Sequence, residues 1–126
     1  MTPLRVLLVA AGGMLGTAAR LGLTVTVPAG QVDWPVLTAN VAGALLLGIL
    51  TARMPAGDLR IFLGTGVLGA FTTYSALAVG SVTLWQSAPL LAAGYAAGSV
   101  LLGLAAAALG LRMGRPRPRD ARNGAR

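Results

Sequence analysis

The sequence predicts an all-α integral membrane protein with four transmembrane helices, and three observations carry that prediction. Of 126 residues, 56% are apolar, a further 18 are Gly and only 10% are charged, giving a mean hydropathy of +0.77. Soluble domains run at roughly 25% charged, and a chain this short leaves much of its surface outside any core it builds, so the apolar excess calls for lipid. Apolar stretches recur four times, at residues 4–27, 36–52, 61–85 and 88–111, lengths that suit bilayer-crossing helices of roughly 17–25 residues. Short connections between them make consecutive helices neighbours.

Taken in order, the first stretch has a rival reading as a signal peptide, because Arg5 precedes an apolar run; the three later spans favour a retained helix. The connection 28–35 carries Pro28, Gly30, Asp33 and Trp34, and the connection 53–60 carries Pro55, Gly57 and Asp58 between two Arg residues. The turn around 86–88 is very short. Residues 1–111 therefore form one transmembrane domain, and the Arg- and Pro-rich stretch 112–126 reads as a disordered cytoplasmic tail.

What the chain lacks excludes much chemistry. It has no Cys and no His, which removes thiolate nucleophiles, zinc sites built on these residues and Ser-His triads. Its acids are Asp33, Asp58 and Asp120, all in polar connections, so no buried carboxylate is available for hydrolysis or proton-coupled transport. The bases are ten Arg and no Lys, for a net charge of +7. Six of them crowd into residues 112–126. A basic run can bind nucleic acid, but one directly after an apolar span is better read as a juxtamembrane tail.

The same residues set the expected orientation in the cell membrane. With four spans, both termini and the second connection share a side, which holds Arg5, Arg53, Arg60 and the tail, nine Arg in all. Arg20, near the far end of the first span, is the exception, and its long stem can reach the interface. Nine against one predicts both termini inside.

Small residues four apart, at Gly12 and Gly16, Ala39 and Gly43, Ala44 and Gly48, Ala76 and Gly80, and Gly94 and Gly98, predict close backbone packing of helices. The third span differs from the others. Residues 64–75 read GTGVLGAFTTYS, three Gly followed by a run of hydroxyl-bearing side chains at membrane depth. Two conformations satisfy that stretch. A broken helix would free carbonyls suited to a bare monovalent cation, provided they face protein, ions or water; a continuous helix would let the hydroxyls bond back to preceding carbonyls.

Polar groups elsewhere in the spans are few. Asn40 lies in the second, and Tyr95 and Ser99 lie four apart on one face of the fourth. Neutral donors of this kind, together with Thr73 and Ser75, suit an anion that must bind and still leave. The positive edges of Phe71 and Tyr74 can add to such a path. Hydrogen-bonded glue between helices, at about 1 kcal/mol each, is the alternative role of Asn40 and Tyr95.

GGMLGTAAR at residues 12–20, TANVAGALLLG at 38–48 and above all GTGVLGAFTTYS at 64–75 resemble the Fluc (CrcB) family of fluoride channels, in order and across all four spans. The resemblance implies four-helix subunits paired antiparallel, two fluoride pores, and a central sodium ion held by backbone carbonyls at breaks in the third helices. It implies sodium coordination at Gly69 and Thr72, a pore asparagine at Asn40, and a polar track that includes Tyr95 and Ser99. The family's stacked pore aromatics fall on Tyr74 and Leu77, with Ala76 in place of a common hydroxyl residue and Gly103 where Ser can stand. Leu77 has no positive edge to offer an anion, which weakens that part of the expected pore.

The resulting expectation is a passive, fluoride-selective channel subunit and not an enzyme, with fluoride, a second subunit and lipid as partners and no nucleic acid. Fluoride trapped by ionisation of hydrogen fluoride in a near-neutral cytoplasm would leave through the pore without an energy source. A non-conducting partner subunit in a heteromeric channel is the alternative that Leu77 raises. A small multidrug-type proton antiporter shares the size and plan but needs a membrane carboxylate, which the spans lack.

Overall fold

The computed structural model describes residues 2–116, and every regular element among them is helical. In chain order these are α1 (Pro3–Thr26), α2 (Trp34–Arg53), α3 (Asp58–Arg60), a π-helical segment π1 (Ile61–Leu68), α4 (Gly69–Phe71), α5 (Tyr74–Trp85) and α6 (Pro89–Gly114). Four runs are long and apolar enough to cross a membrane: Pro3–Thr26, Trp34–Arg53, Asp58–Trp85 and Pro89–Gly114.

Local chemistry sets the helix starts. Three of the four runs open on Pro in the first two positions, where a missing N–H leaves no bond unmade. Asp33 caps α2, its carboxylate accepting from the Val36 N–H at 3.2 Å. The end of α6 corrects the expected boundary at residue 111. Arg112, Met113 and Gly114 are helical rather than part of an unstructured tail, and a cation in the last turn suits the negative end of a helix. Residues 117–126 of the expected tail lie outside the described residues.

Glycine decides how the helices meet. α1 packs on π1 and α4, while α2 and α5 pack on α6. A Cβ on Gly12 would stand 2.6 Å from the Phe62 carbonyl oxygen, and one on Gly16 would overlap that of Val67. The wide π1 backbone, with Gly66 buried in it, therefore lies directly on the α1 backbone. Gly48 and Gly110 do the same for α2 and α6, a Cβ on Gly48 standing 2.5 Å from the Ala107 carbonyl oxygen. Gly94 and Gly98 have no atom within 4 Å of a built Cβ, so that pair packs on nothing within the described residues.

The interior is small: Val36, Ala39, Leu84, Ala92 and Tyr95 are its buried apolar residues. Large side chains such as Val25, Leu90 and Leu101 are exposed, which water would penalise and hydrocarbon or a second chain would not. Arg5, Arg53 and Arg60 gather at one end of the bundle. The Arg5 Nε donates to Asp58 Oδ1 at 2.9 Å, the Arg53 Nη2 to the Met113 carbonyl and the Arg60 Nη1 to the Met54 carbonyl, each of the last two at 3.4 Å.

Candidate functional site

The run of glycines and hydroxyls in the third span holds the one stretch where its backbone leaves helical geometry. α4 ends at Phe71 and α5 begins at Tyr74; between them Thr72 (φ −78°, ψ 158°) and Thr73 (φ −152°, ψ 119°) are extended. An extended residue inside a bundle must find partners for its N–H and C=O, and Asn40 supplies both. Its Oδ1 accepts from the Thr73 N–H at 2.7 Å and its Nδ2 donates to the Thr73 carbonyl at 3.0 Å. The amide thus replaces the neighbouring turn that a continuous helix would provide. The approach that makes this possible is set one turn along α2, where a Cβ on Gly43 would overlap the Thr72 methyl group.

These bonds divert donors from two particular carbonyls. In a continuous α-helix the Thr73 N–H would donate to the Gly69 carbonyl and the Ala76 N–H to the Thr72 carbonyl. Here the first goes to Asn40, and the second goes to the Thr73 side-chain hydroxyl at 3.2 Å, which caps α5. Gly69 and Thr72 are the two positions at which the family resemblance implies cation coordination. The donor chemistry fits a small hard cation: neutral carbonyl oxygens relieved of their helical partners. The Thr72 hydroxyl donates back to the Leu68 carbonyl at 3.1 Å, so it is occupied within its own helix.

A groove of about 420 Å³ runs past this segment. Its walls bring together Asn40, Thr72, Thr73, Tyr74 and Ser99, five of the residues expected to act, along with Leu77 and Gly103. Tyr74 is 83% exposed, standing out from the helical bundle. Thr73 and Ser75 pair their hydroxyls at 3.3 Å, and the buried Ser99 hydroxyl donates to the Tyr95 carbonyl at 2.6 Å. A serine occupied in this way still presents lone pairs, and it turns its proton outward only by giving up that bond.

Other expected residues lie elsewhere. Tyr95 shares the buried face of α6 with Ser99 but packs against Leu84, Ala92 and Leu77. Its hydroxyl donates to the Asp33 carbonyl at a long 3.4 Å and lines a separate cavity of 300 Å³ near the connection between α1 and α2. Phe71, Ser75 and Gly69 are not on the groove wall; the Phe71 ring edge lies near Gly43, 3.5 Å from where a Cβ would stand. Sequence reasoning missed the cavity of 310 Å³ that Arg20 lines with Thr17, Thr24, Asp33 and Thr73. Arg20 to Thr24 is an i, i+4 spacing that puts a cation and a hydroxyl on one face, a signal present in the sequence.

Comparison with known proteins agrees with this architecture. The family described as "CrcB-like protein, Camphor Resistance (CrcB)" matches residues 7–111. The chain is 44% identical over 113 residues to the fluoride-specific ion channel FluC of Paracoccus denitrificans, covering 85% of this chain and 91% of that one. It is 43% identical over 119 residues to FluC of Hyphomonas neptunium, with 86% and 94% covered. A FluC of Thermus thermophilus is 42% identical over 119 residues, with 87% and 94% covered. A match that spans all four membrane-length helices, read with the helical bundle they form, makes this chain a multi-pass membrane protein belonging to the CrcB family.

Proposed function

We propose that the chain is a subunit of a fluoride-selective channel that lowers cytoplasmic fluoride by passive efflux. The observation that carries the reading is the groove in which neutral polar groups converge on an extended backbone segment, Asn40 with Thr72, Thr73 and Ser99. Neutral groups bind a dehydrating anion without trapping it. The names of relatives over 40% identical supply the anion. In this reading fluoride passes Ser99, Asn40 and Thr73 toward Tyr74 along the groove, while Tyr95, Ser75 and Phe71, which stand off its wall, act on the path by holding the residues that line it, in a multi-pass protein of the cell membrane with both termini inside. Liposomes carrying the functional assembly should pass fluoride and reject chloride by more than about tenfold in an ion-selective-electrode assay, the margin expected of a pore that selects by its lining groups; equal fluxes would overturn the assignment.

The third span is read as a helix broken at mid-membrane, with sodium at the break. The carbonyls of Gly69 and Thr72 would hold the ion, and two oxygens per chain call for a second, antiparallel subunit to complete the shell. What this chain contributes is the release of those carbonyls, through Asn40 and the Thr73 hydroxyl. Replacing sodium by a large organic cation is expected to lower flux several-fold. Gly69→Val, which adds a branched side chain beside the proposed site at an exposed position, should lower flux in sodium medium to the level seen without sodium. Full flux of Gly69→Val in sodium-free medium would place the ion elsewhere.

Leu77 and Gly103 in the groove wall support a second reading. Neither side chain offers an anion a positive edge or a hydroxyl. A non-conducting partner within a heteromeric channel is therefore the alternative, and flux with and without a related chain separates the two.

A further inference from the structure

Another cavity lies away from the groove, at the Arg-rich end of the bundle. It is an open cleft of about 450 Å³ between the start of α1, the end of α2 and π1. Arg5 and Arg60 line it together with Thr51 and Thr65, and Leu47 and Ile61 add an apolar part to its wall. Nothing in the proposed ion path uses it.

We propose that this cleft binds the phosphodiester headgroup of an anionic phospholipid. Both cations sit where a headgroup would be, Arg5 at the third residue of α1 and Arg60 directly before π1. Basic clefts between transmembrane helices at the interface are suited to acidic headgroups, and Arg presents paired donors that match phosphate oxygens. Arg5 is already oriented: its Nε edge is fixed on Asp58 at 2.9 Å, which leaves the Nη groups for a second acceptor. Arg60 spends Nη1 on a long 3.4 Å contact with the Met54 carbonyl, a bond readily exchanged for a charged acceptor. The Asp58 carboxylate is the one acid beside the site among the described residues, and it is not in the cleft wall.

A lipid fits better than free phosphate for two reasons. The cleft wall combines the Thr51 and Thr65 hydroxyls with the apolar Leu47 and Ile61, a mixed surface that a glycerol backbone can use and an inorganic ion cannot. Leu4, Leu46 and Leu59 are exposed around this end of the bundle, giving acyl chains a surface to lie on.

Native mass spectrometry of the assembled protein, exchanged into micelles doped with equal phosphatidylglycerol and phosphatidylcholine, tests this. The protein should retain phosphatidylglycerol preferentially, and Arg5→Gln with Arg60→Gln should cut that retention roughly 25-fold, at about fivefold per Arg near a membrane surface. Arg112→Gln with Arg115→Gln, at the same end but outside the cleft, should keep it. Asp58→Asn, a single exchange at an exposed position, should raise retention and serves if the double variant fails to fold. Equal retention of both lipids, undiminished retention in the Arg5 and Arg60 variant, or a fall in Asp58→Asn would each overturn the proposal. Stabilisation by soluble glycerol phosphate equal to that by phosphatidylglycerol would overturn the assignment to lipid in favour of a soluble anion. Chloride-against-fluoride selectivity does not enter these readouts, so the outcome is independent of the proposed transport activity.

Discussion

Asn40→Ala should cost at least about tenfold in fluoride flux through the assembled channel, with loss of its sodium dependence, because both ends of the amide are committed to one buried residue and truncation orphans the N–H that one of them holds. Asn40 accepts from the Thr73 N–H and donates to the Thr73 carbonyl. Truncation leaves the Thr73 N–H without a partner inside the bundle, at about 1–3 kcal/mol, and takes one donor from its carbonyl, which as the N-cap of α5 keeps the first bond of that helix. The chain has a cheap way to recover part of that loss: the Thr73 N–H can return to the Gly69 carbonyl four residues back, closing the turn. That recovery takes away an oxygen proposed to hold sodium. Asn40→Asp separates the donor from the acceptor, since an ionised carboxylate still accepts from Thr73 but repels its carbonyl. It should therefore be impaired while keeping more of the sodium response than Asn40→Ala. Flux from liposomes, normalised to the amount of assembled protein measured by gel filtration, is the readout. Wild-type flux in Asn40→Ala would show that the amide is only glue between helices.

The second large effect concerns assembly. A homodimer of antiparallel subunits needs one chain to insert both ways round, and that needs nearly balanced positive charge on its two sides. Nine Arg against one is far from balance. The chain expressed alone is therefore expected to insert in one orientation and to give fluoride flux close to that of empty liposomes, with flux restored by a related chain of opposite bias. Because the chain has no Cys, single cysteines report uniquely. Gln31→Cys and Gly57→Cys suit the purpose: Gln31 is exposed, and Gly57 has open space around a built Cβ and an extended φ of 177°. Each should be labelled from one side of the membrane only, and from opposite sides. Labelling of each from both sides, in cells making this chain alone, would establish dual insertion and remove the need for a partner.

Leu77 bears on the same question. It packs beside Tyr95 and lines the groove next to the exposed Tyr74. A partner chain bringing an aromatic ring to this wall would supply the positive edge that Leu77 lacks.

How much of this was legible in the sequence follows from the range over which each signal acts. The four membrane-length helices could be placed because apolar length, Pro at helix starts and Gly or Asp in connections act over a few residues. The excess of Arg on one side needs only the order of the spans. Gly12 and Gly16 were readable as a packing face, since a spacing of four is a property of one helix, but their partners, the carbonyls of Phe62 and Val67, were not. The third span could be seen to disfavour helix between Gly64 and Ser75. Which residues leave helical geometry, Thr72 and Thr73, depends on an amide arriving from 33 residues away in sequence.

The division is clearest for the polar residues. By itself the sequence determined that Asn40, Tyr95 and Ser99 are neutral groups in apolar spans, and that the last two share a helix face. Only the tertiary structure decided that Asn40 clamps Thr73, that Ser99 reaches the groove and that Tyr95 lines a different cavity. It also placed the cleft between Arg5 and Arg60, which are 55 residues apart. The physical reason is that periodicity fixes the face of a helix on which a side chain lies, whereas its partner depends on how two helices cross. In this chain that crossing is set by backbone contact at Gly16 and Gly110 and by the Thr72 methyl group against Gly43, where the absence of a side chain lets the neighbouring element in.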